Sequence, residues 1–160
     1  MERGHRMSAN GTQEPTTVAT RIHELRTLLD QGMRDGLGVG ASLGITVESL
    51  EEGGAVYVLD PNPATINAMF TVHGGVIATL MDTAMGSAVF TTLPDGVAYT
   101  TLELKVNYIR SVPVDGERLV CRARTVYVGR RTATAEARVE HASSGRLVAH
   151  GTCTCLVLHP

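Results

Sequence analysis

The chain has 160 residues, 43% hydrophobic and 19% charged, with a formal net charge of −2. A single domain of this length buries about 70% of its unfolded surface, so its stability requires neither a metal nor a disulfide. The near-neutral balance excludes an electrostatic case for nucleic acid or a membrane surface. No apolar run is long enough for a signal peptide or for the ~18 residues of a membrane span, which makes the cytoplasm the expected compartment.

Residues 1–15 are polar and unpatterned and read as a disordered tail ahead of one domain, 16–160. Over 16–33, Ile22, Leu25, Leu28 and Leu29 recur at helical spacing, which predicts an amphipathic helix ended by Gly32 and the glycines of 36–40. Leu43, Ile45 and Val47 then alternate with Gly44, Thr46 and Glu48 as in a half-buried strand. Glu51-Glu52-Gly53-Gly54 reads as a hairpin turn and 55–60 as the returning strand. Gly40-Ala41-Ser42-Leu43-Gly44 has the G-x-S-x-G spacing of serine hydrolases, but that mechanism needs a strand before the serine and a helix after it. Here the order is reversed, so the segment is expected to be a loop entering a strand.

Pro61 and Pro63 open a loop that delivers Asn67 and His73 to a helix over 74–90. That helix is apolar nearly all round, as buried helices are, yet it contains Asp82. Its neighbours Leu80, Met81, Ala84 and Met85 predict a buried carboxylate, which is costly unless used or paired. The pair Gly74-Gly75 after His73 permits close approach to backbone N–H groups left free at a helix start, where a developing anion is stabilised. A carboxylate with an anion hole is hydrolytic equipment for a carbonyl. Gly74 and Asp82 are eight residues apart, about 12 Å at ~1.5 Å per residue, too far for one reacting carbonyl. Both serve one site only if they come from different chains, with two such helices antiparallel across a two-fold axis.

After a turn at Pro94-Asp95-Gly96, strands are expected over 98–110, 117–129, 131–141 and 146–158. Leu102, Leu104, Val106 and Tyr108 oppose Thr101, Glu103, Lys105 and Asn107, and Ala133, Ala135, Ala137 and Val139 repeat the pattern, marking antiparallel strands with one solvated face. Cys121, Cys153 and Cys155 all fall on strands and read as reduced thiols used as small hydrophobes; no set of residues has metal-ligand spacing. The expected class is α+β, an antiparallel sheet of about six strands around one central helix, with an extra N-terminal helix. One sheet covers only part of such a helix, so at least a dimer is expected.

The run N-x5-HGG-x6-D, formed by Asn67, His73-Gly74-Gly75 and Asp82, resembles the PaaI-like branch of the hotdog-fold acyl-CoA thioesterases, within the 4-hydroxybenzoyl-CoA thioesterase superfamily. The segments TTLELKVNYIRSV and GRRTATAEARVEHASSGRLVAHGTCT are similar to that family's sheet, and the likeness spans residues 40–158. The resemblance implies that Asp82 is the nucleophile or the base that activates water. It implies that the Gly74 N–H polarises the thioester carbonyl, with Gly75 beside it, and that Asn67 and His73 position the thioester near the departing sulfur. Thr101 would hold the water, with Thr100 as the alternative register. Relatives commonly have Gly where this chain has Phe70, which would narrow the acyl pocket. Gly129-Arg130-Arg131 is either a solvated turn or a seat for the phosphates of coenzyme A. No cofactor is implied, because coenzyme A is part of the substrate; the implied assembly is a homodimer or a dimer of dimers. Two other functions remain open. A hotdog hydratase/dehydratase would want a His shortly after Asp82, and none follows. A non-catalytic acyl-CoA sensor would want a nucleic-acid-reading module, which the N-terminal helix does not resemble.

Overall fold

The computed structural model describes residues 18–160; the expected tail, 1–15, lies outside them. The elements are α1 (Val18–Asp35), α2 (Gly38–Leu43), β1 (Ile45–Glu51), β2 (Gly54–Leu59), α3 (Gly74–Phe90), β3 (Ala98–Tyr108), β4 (Leu119–Val128), β5 (Thr132–His141) and β6 (Leu147–Leu158). The strands form one antiparallel sheet in the order β1-β2-β4-β5-β6-β3. Helix α3 packs against all six strands, so the sheet wraps around it.

The wrap follows from side-chain size. Ala133, Ala135 and Ala137 of β5 are buried beneath α3, and such small residues let the helix lie close to the sheet. Leu80, Met81, Ala84, Met85, Ala88 and Val89 of α3 are fully buried above them. Gly151 of β6 is required by contact: a Cβ there would meet the Lys105 carbonyl oxygen at 2.1 Å and the Met81 methyl at 3.0 Å.

Three expectations are corrected. Residues 38–43 are helical rather than a loop, because Gly44 closes the turn in the left-handed region (φ +73°) that glycine favours. Leu28 is 58% exposed instead of joining the buried stripe of α1. What anchors α1 is Arg21, which is buried, donates to the Val97 carbonyl (3.0 Å), pairs with Glu24 (3.1 Å) and stacks on Phe90 with its guanidinium carbon 3.7 Å from the ring centre. The third correction is in β3. Thr101 pairs with Cys155 and Glu103 with Thr154, leaving Leu102 as a bulge that is 58% exposed. The extra residue reverses the alternation, so Tyr99 and Thr101 share the inner face with Leu104 and Val106.

Candidate active site

His73 is the N-cap of α3. Its Nδ1 accepts the Gly75 N–H at 2.8 Å, so the neutral ring carries its proton on Nε2 and offers a donor outward. A side chain at Gly75 would put a Cβ 3.0 Å from that nitrogen. The Gly74 N–H has no acceptor among the described residues. Its carbonyl is held by Tyr108, whose hydroxyl donates to it at 2.7 Å, and a Cβ at Gly74 would meet the Tyr108 ring at 3.2 Å. The two glycines thus let His73 and Tyr108 close around the helix start. Nothing in the sequence marks Tyr108 as part of the site, since no spacing rule links residues 34 apart that meet at the end of a strand.

Asp82 is half-buried, not fully enclosed as its neighbours suggested, because it lies on the one stripe of α3 that the sheet leaves uncovered: Gly75, Ala78, Thr79, Asp82 and Thr83. Thr101 Oγ1 donates to Asp82 Oδ1 at 2.9 Å, and Oδ2 has no protein donor among the described residues. Thr100 points to the exposed outer face. The bulge at Leu102 is what turns Thr101 inward. Tyr99 packs beside the pair; burial first, then the charges of Cys155 and Asp82, hold its phenol above the ordinary range. Cys153 and Cys155 lie on one face with their sulfurs 3.8 Å apart. Donation to Cys155, then burial, keeps the Cys153 thiol protonated well above its usual range. The third thiol, Cys121, is pushed up to about 12 by burial alone.

Asn67 shapes the loop before the helix. Its Oδ1 accepts from the backbone N–H groups of Met69 (2.9 Å) and Thr71 (3.2 Å), and its Nδ2 donates to Thr71 Oγ1 at 3.0 Å. Phe70, at the loop's tip, is 70% exposed and adopts φ +58°. It lines neither of the two cavities near the helix. One of these is a groove of about 300 Å³ beside Gly74, whose walls include Tyr108, Arg110 and Ser111. No sequence pattern marks Arg110 either. The other is an apolar cavity under α1 that reaches Thr83.

One chain does not bring all these residues together. Tyr108 marks the Gly74 end of the sheet, whereas Gly129-Arg130-Arg131 turns beside Thr132, which pairs with Leu156 and through it with Thr100. Eight residues of strand separate the two ends, about 26 Å at ~3.3 Å per residue. Arg130 and Arg131 are exposed and lie at the Thr101 end. Within a chain, then, Asn67, His73, Gly74 and Arg110 lie toward one end, and Asp82 is bonded to Thr101 toward the other, the end of the sheet at which the arginine turn also lies.

Comparison with known proteins adds to this geometry. The family model of the thioesterase superfamily matches residues 69–149. A candidate esterase of Halobacterium salinarum is 36% identical over 116 residues, 69% of this chain and 75% of that protein. Among solved structures, a thioesterase family protein from Silicibacter pomeroyi superposes with a TM-score of 0.75 at 28% identity, covering 90% of this chain and 100% of that one. A variant of the phenylacetic acid degradation protein PaaI from Thermus thermophilus gives a TM-score of 0.67 at 33% identity, covering 74% and 97%.

Proposed function

Because the chain belongs to the thioesterase superfamily and has the PaaI-like hotdog fold, we propose that it hydrolyses an acyl-CoA thioester to the free acid and coenzyme A. The observation that carries this is the Thr101–Asp82 hydrogen bond. The single hydroxyl proton of Thr101 is given to Asp82, so Thr101 can only accept from a bound water. That water donates one proton toward Thr101 and the other toward the free Oδ2 of Asp82, which aims its lone pair at the carbonyl carbon. Asp82 takes the proton as the C–O bond forms. The oxyanion rests on the Gly74 N–H of a second chain, and the C–S bond breaks to release a thiolate. A thiol of pKa ~8.5 leaves without a strong acid, and His73 Nε2–H, at the same helix start as Gly74, offers it a donor.

Direct attack by Asp82 on the carbonyl is the second form of the reaction. That attack forms a mixed anhydride, and a single turnover in ¹⁸O-water detects it when water opens it at the Asp82 carboxyl carbon: the first product acid then stays unlabelled and the label enters the protein, whereas label in the product acid alone means that water attacked the acyl carbon. The site's two halves call for a dimer, and the structure supports one by its surfaces. The open stripe of α3 is built of small residues, and edge strand β3 presents unpaired backbone with Leu102 and Tyr108 exposed. The test of the function is thiol release from acyl-CoA. Asp82→Asn is nearly isosteric and is expected to lower turnover by about 10²–10⁴-fold, the usual worth of a positioned base. A folded Asp82→Asn protein retaining a third of wild-type turnover removes the assignment.

A further inference from the structure

The cavity under α1 has a volume of about 470 Å³ and is walled by Leu29 and Met33 of α1, Val39 and Ala41 of α2, Val47 of β1, and Thr83 of α3. It exists because of the glycines around α2. Gly32, Gly38 and Gly40 line it without side chains, and a Cβ at Gly40 would already press the Ile45 carbonyl oxygen at 3.3 Å. Its volume falls in the ~300–1,000 Å³ typical of small-molecule sites. Thr83 is the residue next to Asp82, so the cavity adjoins the carboxylate along the uncovered stripe of α3.

The lining says what the cavity takes. The hydroxyl of Tyr57, in its floor, is already paired with Ser87 Oγ at 2.8 Å. Asp30 and Thr46 are exposed rather than aimed at an enclosed partner. Among the described residues, the fully buried side-chain polar atoms without a hydrogen bond, on Arg21, Thr125 and His141, all belong to residues outside the lining. A pocket made to hold a hydroxyl or carboxyl presents an unpaired donor or acceptor to it; the half-buried side-chain hydroxyl in this lining without a protein partner among the described residues is that of Thr83, which is next to Asp82 in the chain, so the walls from α1 and α2 offer the far end of a ligand no such half-buried group.

Building on the thioesterase reading, we propose that this cavity is the acyl subsite, that the acyl chain passes Thr83 and lies beneath α1 and α2, and that the substrate class is a medium-chain saturated acyl-CoA rather than a hydroxyaryl-CoA. The N-terminal helix is thereby a wall of the substrate site and a determinant of specificity.

The experiment has two arms. In the first, a non-hydrolysable thioether analogue of decanoyl-CoA with a diazirine at the chain end is photolysed on the wild-type protein and the labelled peptides are read by mass spectrometry. Label within residues 28–47 is expected. In the second, kcat/KM is measured for decanoyl-CoA and 4-hydroxybenzoyl-CoA. The decanoyl preference is expected to fall about tenfold or more in Ala41→Phe, which fills the cavity, in line with the 10–200-fold worth of a single methylene in an apolar pocket. Label on β3 or the 67–72 loop, or an unchanged ratio in the folded variant, overturns the subsite while leaving hydrolysis standing. Labelling that fades as protein concentration rises marks the cavity as covered by a second copy and overturns it too. Labelling of 28–47 without any hydrolysis keeps the subsite and removes the enzyme; neither binding nor hydrolysis removes both.

Discussion

Asp82 and Phe70 are the two residues whose surroundings make the strongest demands. Asp82 keeps one oxygen on Thr101 and the other without a protein donor among the described residues, so substitutions at Thr101 test the role proposed for it. Thr101→Ala removes a hydrogen bond to a charged acceptor, worth about 1.5–3 kcal/mol, and is expected to lower kcat by about 10–100-fold, less than Asp82→Asn. Thr101→Ser keeps the hydroxyl and is expected to recover most of that loss; equal damage by both in steady-state rates would mean that the methyl, not the hydroxyl, matters. Phe70 holds φ +58°, a conformation that costs an L-residue about 1–2 kcal/mol. Phe70→Gly relieves that strain at the cost of added freedom in the unfolded chain, and is expected to leave stability unchanged or raise it by up to about 1 kcal/mol. Phe70→Val puts a β-branched residue in the same geometry and is expected to lower it. Urea unfolding of the pair measures both signs.

Among the elements, α3 and β3 meet at the Thr101–Asp82 and Tyr108–Gly74 hydrogen bonds and again where Tyr99 lies over Gly86. A Cβ at Gly86 would lie 2.2 Å from the Tyr99 hydroxyl and 2.8 Å from its ring. Ala is the better helix former by about 1 kcal/mol, so Gly86→Ala would stabilise an isolated α3. Inside this fold it forces Tyr99, and with it β3, away from the helix, an overpacking usually costing about 1–3 kcal/mol. The expected result is a lower Tm together with reduced turnover, since Thr101 is carried on the same strand; a higher Tm would show that the strand yields without cost. What could be read from the residues and what could not divides between local patterns and long-range pairing. The alternation of Ala133 to Val139 and the apolar run after His73 are local, period-bound patterns, and they placed β5 and α3 correctly. The bulge at Leu102 breaks its period within the pairing of β3 with β6, and nothing in LELKVNY announces it. Likewise the HGG-x6-D run marked the helix start and the carboxylate, but Tyr108 and Arg110 reach that start only through sheet register.

At the scale of the whole molecule, the proposed site is divided between two places on α3, and the proposed dimer would join them. Asn67, His73 and Gly74 gather at one end of α3, and Asp82 and Thr101 lie about 12 Å further along it. Two copies related by a two-fold axis, with their α3 stripes facing, would place each helix start beside the other's carboxylate and make two identical sites. This arrangement predicts complementation. Asp82→Asn and His73→Ala proteins are each expected to be impaired as homodimers. In a mixed dimer one site receives both lesions and the other receives none. A heterodimer purified through two different tags should therefore recover up to about half of the wild-type rate of acyl-CoA hydrolysis, with wild-type KM, under the symmetric two-site model. The unimpaired site also fixes the pH profile, which should match wild type rather than either parent. A verified heterodimer as inactive as its parents would mean that Asp82 works with its own chain's groups, and α3 would then have to bend or Asp82 act alone.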